Sequence, residues 1–367
     1  MGLFVSLPQG GGTEKTLQLN FGVETVAAFL PAEWHLQSLI QLTWPHKNTD
    51  WAPMLGEVDA CYMELAKEIT DRQPLLIVTP EPERVRELIY NKVNMDNVYF
   101  LECPTNDTWA RDHGFITMLT EQGPLLLDFC FNGWGMKFAA NEDNQINRRL
   151  FASGLLHGAY RNCLDFVLEG GSIESDGKGT LLTTSTCLLA LNRNETMNRK
   201  DIENHLKSLF HLEQVLWLDY GYLSGDDTDS HIDTLVRFCP EDTLVYVKCT
   251  DENDEHYEAL QRMEEQLSSF RTLDGCAYRL LPLPMPDAIV CNGERLPATY
   301  ANFLIMNEAV LYPTYAQPDN DERAKKCIVT SLPPSRHHRG GLPGTHQAAW
   351  FIALCHHAIS FRMFCNS

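Results

Sequence analysis

The segment Ser224-Gly-Asp-Asp-Thr-Asp-Ser-His-Ile-Asp233, which leads into the apolar run Thr234-Leu-Val-Arg-Phe238, sets the terms for the whole chain. Four carboxylates and one imidazole fall within the eight residues from Asp226 to Asp233. A strand starting at Ser230 would place His231 and Asp233 on one face and Ile232 on the other. An imidazole two residues from a permanent anion suits proton transfer onto a cationic substrate. Two other readings of the same residues stand beside it: a solvated acidic loop entering a strand, and a divalent-metal site built on Asp-x-His-x-Asp.

Composition narrows the choice. The chain has 367 residues, enough for one large domain or two ordinary ones, and 44% of them are apolar. There are 29 basic against 49 acidic residues, a formal charge of −20. That balance disfavours nucleic acid and anionic membranes as partners and is compatible with a small cation. Twelve cysteines occur without regular Cys-x-x-Cys pairs, and no stretch reads as a signal peptide or membrane span. Reduced thiols in a cytoplasmic protein are expected.

Residues 1–28 are left unassigned, as a disordered lead or an over-long start. Their Gly10-Gly-Gly-Thr-Glu-Lys-Thr16 lacks the Gly-Lys pair and the preceding strand of a phosphate loop. From Leu30 the texture is globular. Helical spacing of Leu55, Val58, Tyr62, Leu65 and Ile69 predicts a helix over 53–72. Strands are expected over 74–79, 98–101, 124–131, 180–182, 215–218, 243–248 and 309–312, with further helices over 83–92, 199–210 and 254–270. This alternation is an α/β pattern. No glycine-rich dinucleotide fingerprint follows any strand. No interior linker divides residues 29–326.

Two more polar clusters sit at expected strand ends. Asn106-Asp-Thr-Trp-Ala-Arg-Asp-His-Gly114 sets Asp107 and Asp112 beside Trp109. Carboxylates near an indole face could cradle a planar cation; equally, Arg111 could pair with an aspartate over a core tryptophan. Leu168-Glu-Gly-Gly-Ser172 places Glu169 ahead of bare backbone that a ligand can approach, or it is an ordinary turn.

Taken together with Leu30-Pro-Ala-Glu-Trp34, Leu42-Thr-Trp-Pro-His46, Phe131-Asn-Gly-Trp-Gly135 and Tyr312-Pro-Thr-Tyr-Ala-Gln-Pro-Asp-Asn-Asp321, these clusters resemble the agmatine deiminases, in order, from about residue 30 to 326. The wider group includes the bacterial peptidyl-arginine deiminase type. The resemblance implies a pentein fold, an α/β propeller of about five ββαβ units with five-fold pseudosymmetry and a central active site. It implies no metal and no cofactor, and it allows a homo-oligomer. The implied reaction converts agmatine and water to N-carbamoylputrescine and ammonia, a step toward putrescine, by hydrolysis of a guanidinium C–N bond through a covalent thiol intermediate. Asp112 and Asp233 would grip the guanidinium nitrogens. Glu169 would bind it and orient His231, which would protonate leaving ammonia and then activate water. Trp109 would line the pocket, and Asp227 or another carboxylate of its loop would face the distal ammonium. Deimination of arginine in peptides and a catalytically dead pentein module are the alternatives.

The family's nucleophilic cysteine lies near the C-terminus in a motif like Gly-Ser-Leu-His-Cys-Val-Thr, which this chain lacks. Residues 327–367 contain no Asp, Glu or Lys, yet hold five of the 13 histidines and three of the 12 cysteines. A His-rich metal tail and a docking segment are two readings; a frameshift near codon 326 fits better. Over Trp350-Phe-Ile-Ala-Leu-Cys-His-His-Ala-Ile359, reading one base later forces a Gly codon and allows Ser-Leu-His-Cys-Val-Thr after it. Cys355 is therefore the stand-in for the nucleophile, in an aberrant tail replacing the last catalytic module, and impaired activity is expected.

Overall fold

The computed structural model describes residues 28–332, together with the backbone of a hairpin pairing Leu3–Leu7 with Lys15–Leu19. Cys355 and the rest of the expected aberrant tail beyond Leu332 lie outside the described residues.

A mixed α/β fold follows from one repeated unit. Ile116–Thr120 pairs antiparallel with Gly123–Cys130; the chain then passes through the helix Ile146–Ala152 and returns as Ala159–Val167, parallel to the second strand. The same strand–strand–helix–strand order recurs over Ile173–Ser175, Thr180–Thr184, the helix Arg199–Phe210 and Gln214–Leu218. It recurs again over Val236–Cys239, Thr243–Lys248, the helix Tyr257–Ser269 and Arg279–Pro284. A fourth sheet, Ile40–Thr43, Leu75–Thr79 and Val98–Glu102, is wholly parallel, its strands joined through the helices Leu55–Thr70 and Pro82–Ile89. Last come the short antiparallel pair Leu304–Ile305 and Val310–Leu311 and the helix Pro318–Ser331.

Local chemistry accounts for the stronger elements. Every residue of Leu75–Thr79 is buried, as expected of a central parallel strand covered on both faces. The helix Arg199–Phe210 opens with a reciprocal capping box between Asn198 and Asp201 and buries Ile202, Leu206, Leu209 and Phe210 at helical spacing. It stops at His211, which adopts a left-handed conformation with φ 57°. Apolar side chains from these helices and their sheets make three large core clusters, centred on Ile69 and Ile77, on Phe210 and Leu181, and on Val245 and Met263. Among the described residues no helix is long and apolar enough to cross a membrane.

The expected strand through His231 is replaced by a 3₁₀ turn over Ile232–Thr234, and the strand begins only at Val236. Asp229 and Ser230 have φ of 65° and 63°, which an extended strand cannot accommodate. Asp226 holds them there: its carboxylate accepts from the backbone N–H groups of Thr228 and Ser230. The strand expected over 309–312 is only the two-residue Val310–Leu311. Several strands escape a reading by pattern, notably Ala159–Val167, whose Arg161, Asn162 and Asp165 interrupt any apolar alternation. The helix Pro318–Ser331 runs across Lys326 without a break and buries Ala324 and Ile328.

Candidate active site

Asp112 lies in the short helix Ala110–His113, after the strand Val98–Glu102. Its Oδ1 accepts from the Gly171 N–H at 2.9 Å and its Oδ2 from the Trp134 indole at 3.0 Å. Glu169 and Gly171 sit at the end of Ala159–Val167, where the chain makes a 3₁₀ turn over Gly170–Ser172. His231 and Asp233 enter from the turn at Ile232–Thr234.

These segments meet around Gly171. A Cβ on Gly171 would lie 2.6 Å from His231 Nδ1, 2.7 Å from Asp112 Oδ1 and 2.9 Å from Asp233 Oδ2. On Gly170 it would lie 2.1 Å from the Arg111 carbonyl oxygen. Bare backbone at both positions is thus a packing requirement. Beyond the glycine, His231 Nδ1 stands 3.6 Å from Asp112 Oδ1, and His231 Nε2 stands 3.8 Å from Glu169 Oε2. All four side chains are buried: Asp112 7% exposed, Glu169 0%, His231 2% and Asp233 5%.

Three carboxylates and an imidazole in so little water perturb one another. Burial works against an imidazolium at His231, but Asp112, Cys187 and Glu169 outweigh it and hold its pKa well above the usual value. Burial alone would raise the Glu169 carboxyl; the His231 imidazolium 3.8 Å away and the charge of Arg193 bring it below its ordinary range. Burial pushes Asp233 up to about 6, with Arg111 and His231 offsetting part of the effect. Glu169 is therefore the carboxylate held ionised, and Asp233 the one poised to change charge.

The flanking residues complete the walls. Trp109 donates from its indole to Asp107 at 2.9 Å and meets Trp134 edge-on, ring centres 5.8 Å apart. It thus supports the indole that binds Asp112. Asp227 is exposed, and its backbone oxygen accepts from Lys137 Nζ at 2.7 Å. Arg111 lies with its Nε 3.9 Å from Asp233 and forms ion pairs with Glu33 at 2.7 Å and Glu174 at 3.2 Å. Arg237, itself buried, closes that network by binding Glu174 at 2.7 Å and also Glu33. A cavity of about 560 Å³ reaches the site at Gly170 and Asp233 and along the Arg111, Glu33, Glu174 and Arg237 network; its walls are otherwise mainly aliphatic and do not include Asp112, Glu169 or His231.

Three participants carry no signal in the sequence that would have singled them out. Arg193 is wholly buried and donates through Nε to both oxygens of Glu169, at 3.0 and 3.2 Å, and through a terminal nitrogen to the Thr228 carbonyl at 3.0 Å. It also pairs with Asp229, and so ties Glu169 to the loop that bears His231. Cys187, in a short helix at Ser185–Leu188, faces Glu169 Oε2 at 4.0 Å, and burial raises its thiol pKa. Trp134 falls inside the stretch 131–135, but nothing local shows that its left-handed backbone, φ 54°, would aim its indole at Asp112.

An anionic, buried cluster with an imidazolium at its centre is suited to binding a planar cation and to giving a proton to a leaving group. Over residues 29–337 the sequence matches the model of the Porphyromonas-type peptidyl-arginine deiminases, and the chain belongs to that family of guanidino-group hydrolases. Among individual proteins, it is 30% identical over 325 residues to a Legionella pneumophila protein named "Putative agmatine deiminase", covering 86% of this chain and 90% of that one. Its fold is similar to that of a C. jejuni agmatine deiminase, a cysteine-to-serine variant with substrate bound, at a TM-score of 0.80 with 36% identity over 94% of this chain and 96% of that one. It is also similar to a Porphyromonas gingivalis structure titled as a "Putative Arginine Deiminase", at a TM-score of 0.78 with 48% identity over 83% and 91% of the two chains.

Proposed function

We propose that this site binds the guanidinium of agmatine and that its chemistry is hydrolysis of a guanidinium C–N bond to a ureido product and ammonia. The observation that carries the reading is the convergence of Asp112, Asp233 and His231 on the face of Gly171, with Glu169 behind the imidazole. In this reading the carboxylates hold the guanidinium protonated and electrophilic. A thiolate attacks its carbon, and His231 gives its proton to the departing ammonia. The neutral imidazole then takes a proton from water, which attacks the amidino carbon and releases the thiolate. The substrate-bound C. jejuni relative carries serine for a cysteine, in keeping with a thiol as the reacting group. The three strand–strand–helix–strand units and the following strand–strand–helix support a pentein-type reading, in which a fifth unit would complete the propeller.

The thiol is the missing part. Cys355 lies outside the described residues, and we propose that residues 327–367 are read out of frame, so that this chain binds its substrate but turns it over poorly. The test has two arms. Coding DNA across codons 350–359 should encode His-Cys in the next frame; its absence there sinks the frameshift. Calorimetry should show saturable binding of agmatine, and weaker binding of a blocked arginine peptide. Binding of neither refutes the guanidinium reading, and preference for the peptide replaces agmatine with peptidyl arginine.

A further inference from the structure

Glu169 Oε2, Cys187 Sγ and a ring nitrogen of His231 all lie within 4.8 Å of one another, and all three residues are buried. The individual spacings are 3.8 Å from His231 Nε2 to Glu169 Oε2 and 4.0 Å from Cys187 Sγ to the same oxygen. Zinc bonds of about 2.3 Å to sulfur, about 2.0–2.1 Å to imidazole nitrogen and about 2.0–2.2 Å to carboxylate oxygen, set tetrahedrally, require separations of about 3.4 Å for N···O and about 3.6 Å for S···O. A contraction of about 0.4 Å would bring each of these two spacings to that geometry.

Two further observations point the same way. His231 Nε2 is buried and has no hydrogen-bond partner, so one ligand nitrogen is already aimed at the gap. Its other nitrogen, Nδ1, faces the Asp112 carboxylate at 3.6 Å, the carboxylate–histidine arrangement that supports a metal-bound imidazole from behind. The donors are also held from outside. Arg193 fixes the Glu169 carboxylate, and the Cys187 N–H donates to the Thr184 hydroxyl at 3.2 Å, anchoring the turn that carries the thiol.

We infer that Glu169, Cys187 and His231 form a binding site for a borderline-soft divalent cation of the zinc type, with a fourth position left for solvent. The ion would take Nε2 of His231, Sγ of Cys187 and an oxygen of Glu169, and its binding would release the imidazolium and thiol protons to solvent. If the guanidinium reading holds, metal and substrate then compete, and the ion acts as an inhibitor rather than a cofactor; the site itself does not depend on that reading.

Cobalt(II) added to the full-length protein is the probe, because a thiolate ligand gives it a near-ultraviolet charge-transfer absorption. That absorption is expected to saturate at one equivalent and to vanish when zinc is added. Cys187→Ser should abolish it, while Cys355→Ser should leave it intact. His231→Asn should weaken cobalt binding at least about tenfold, the loss that even an outer-sphere change can cause. A signal that survives Cys187→Ser, one lost with Cys355→Ser alone, or none from the folded wild type overturns the site. Near-ultraviolet circular dichroism checks that Cys187→Ser is folded; if it is not, unchanged cobalt affinity in His231→Asn overturns the site instead. Agmatine should suppress the signal, and a cobalt signal indifferent to agmatine counts against the guanidinium reading while the cation site stands.

Discussion

Arg193 Nε donates to both carboxylate oxygens of Glu169, at 3.0 and 3.2 Å, with neither side chain exposed to solvent. The pair joins the end of one strand to a loop 24 residues further along. Removing the guanidinium leaves a buried carboxylate without its partner. Arg193→Met should lower unfolding free energy by about 3–5 kcal/mol, read from urea denaturation; a loss under about 1 kcal/mol would show that solvent or relaxation supplies the missing charge.

Gly171 is surrounded by the site rather than merely near it. A methyl group there would press against His231, Asp112 and Asp233 at under 3 Å from each. Gly171→Ala should destabilise the fold by about 1–3 kcal/mol, as overpacking does, and abolish calorimetric agmatine binding. Unaltered binding would place the ligand elsewhere.

Trp134 supplies one of the hydrogen bonds received by Asp112, at 3.0 Å. Trp134→Phe keeps the ring and deletes the donor. The expected cost is about 1–3 kcal/mol, the penalty for leaving a buried carboxylate oxygen unsatisfied, together with weaker agmatine binding. Thermal denaturation and calorimetry on the same sample separate the two effects.

Asp233 makes stability depend on pH in a definite direction. Its pKa rises on folding from 3.8 to about 6, so the folded state holds that proton more tightly than the unfolded one. Between pH 4 and 6 this group's contribution to stability must fall as pH rises, and Asp233→Asn should remove that fall. Agmatine affinity should rise over the same range as the carboxylate ionises. A pH–stability curve that is identical in wild type and variant would contradict the environment described for Asp233.

His231 works the other way around its ordinary value. Its folded pKa lies well above 6.5, so the imidazolium stabilises the fold fully below pH 6.5. That contribution disappears as pH climbs through the folded value. His231→Asn should lack this alkaline loss, which urea midpoints measured from pH 6 upward would reveal; an equal loss in the variant would assign it to another group.

Much of this protein is legible in local pattern. The continuous apolar run at Leu75–Thr79 and the capped, amphipathic Arg199–Phe210 follow from neighbours a few residues apart, and so does the α/β alternation. The acidic and glycine-bearing segments around Asp112, Glu169 and His231 also announce themselves by composition. Other features depend on the folded chain. The strand expected through His231 gives way to a turn at Asp229 and Ser230 and a 3₁₀ turn after His231, because Asp226 bonds back to the loop, a competition that alternation of residue types cannot show. Arg193, Cys187 and Trp134 acquire their places only when the folded chain brings their side chains within a few ångströms of Glu169 and Asp112. Periodicity and capping are short-range and written into neighbouring residues. The closeness of three polar side chains around Gly171 is a long-range outcome of how the units pack, and that packing gives the site its charge and its burial.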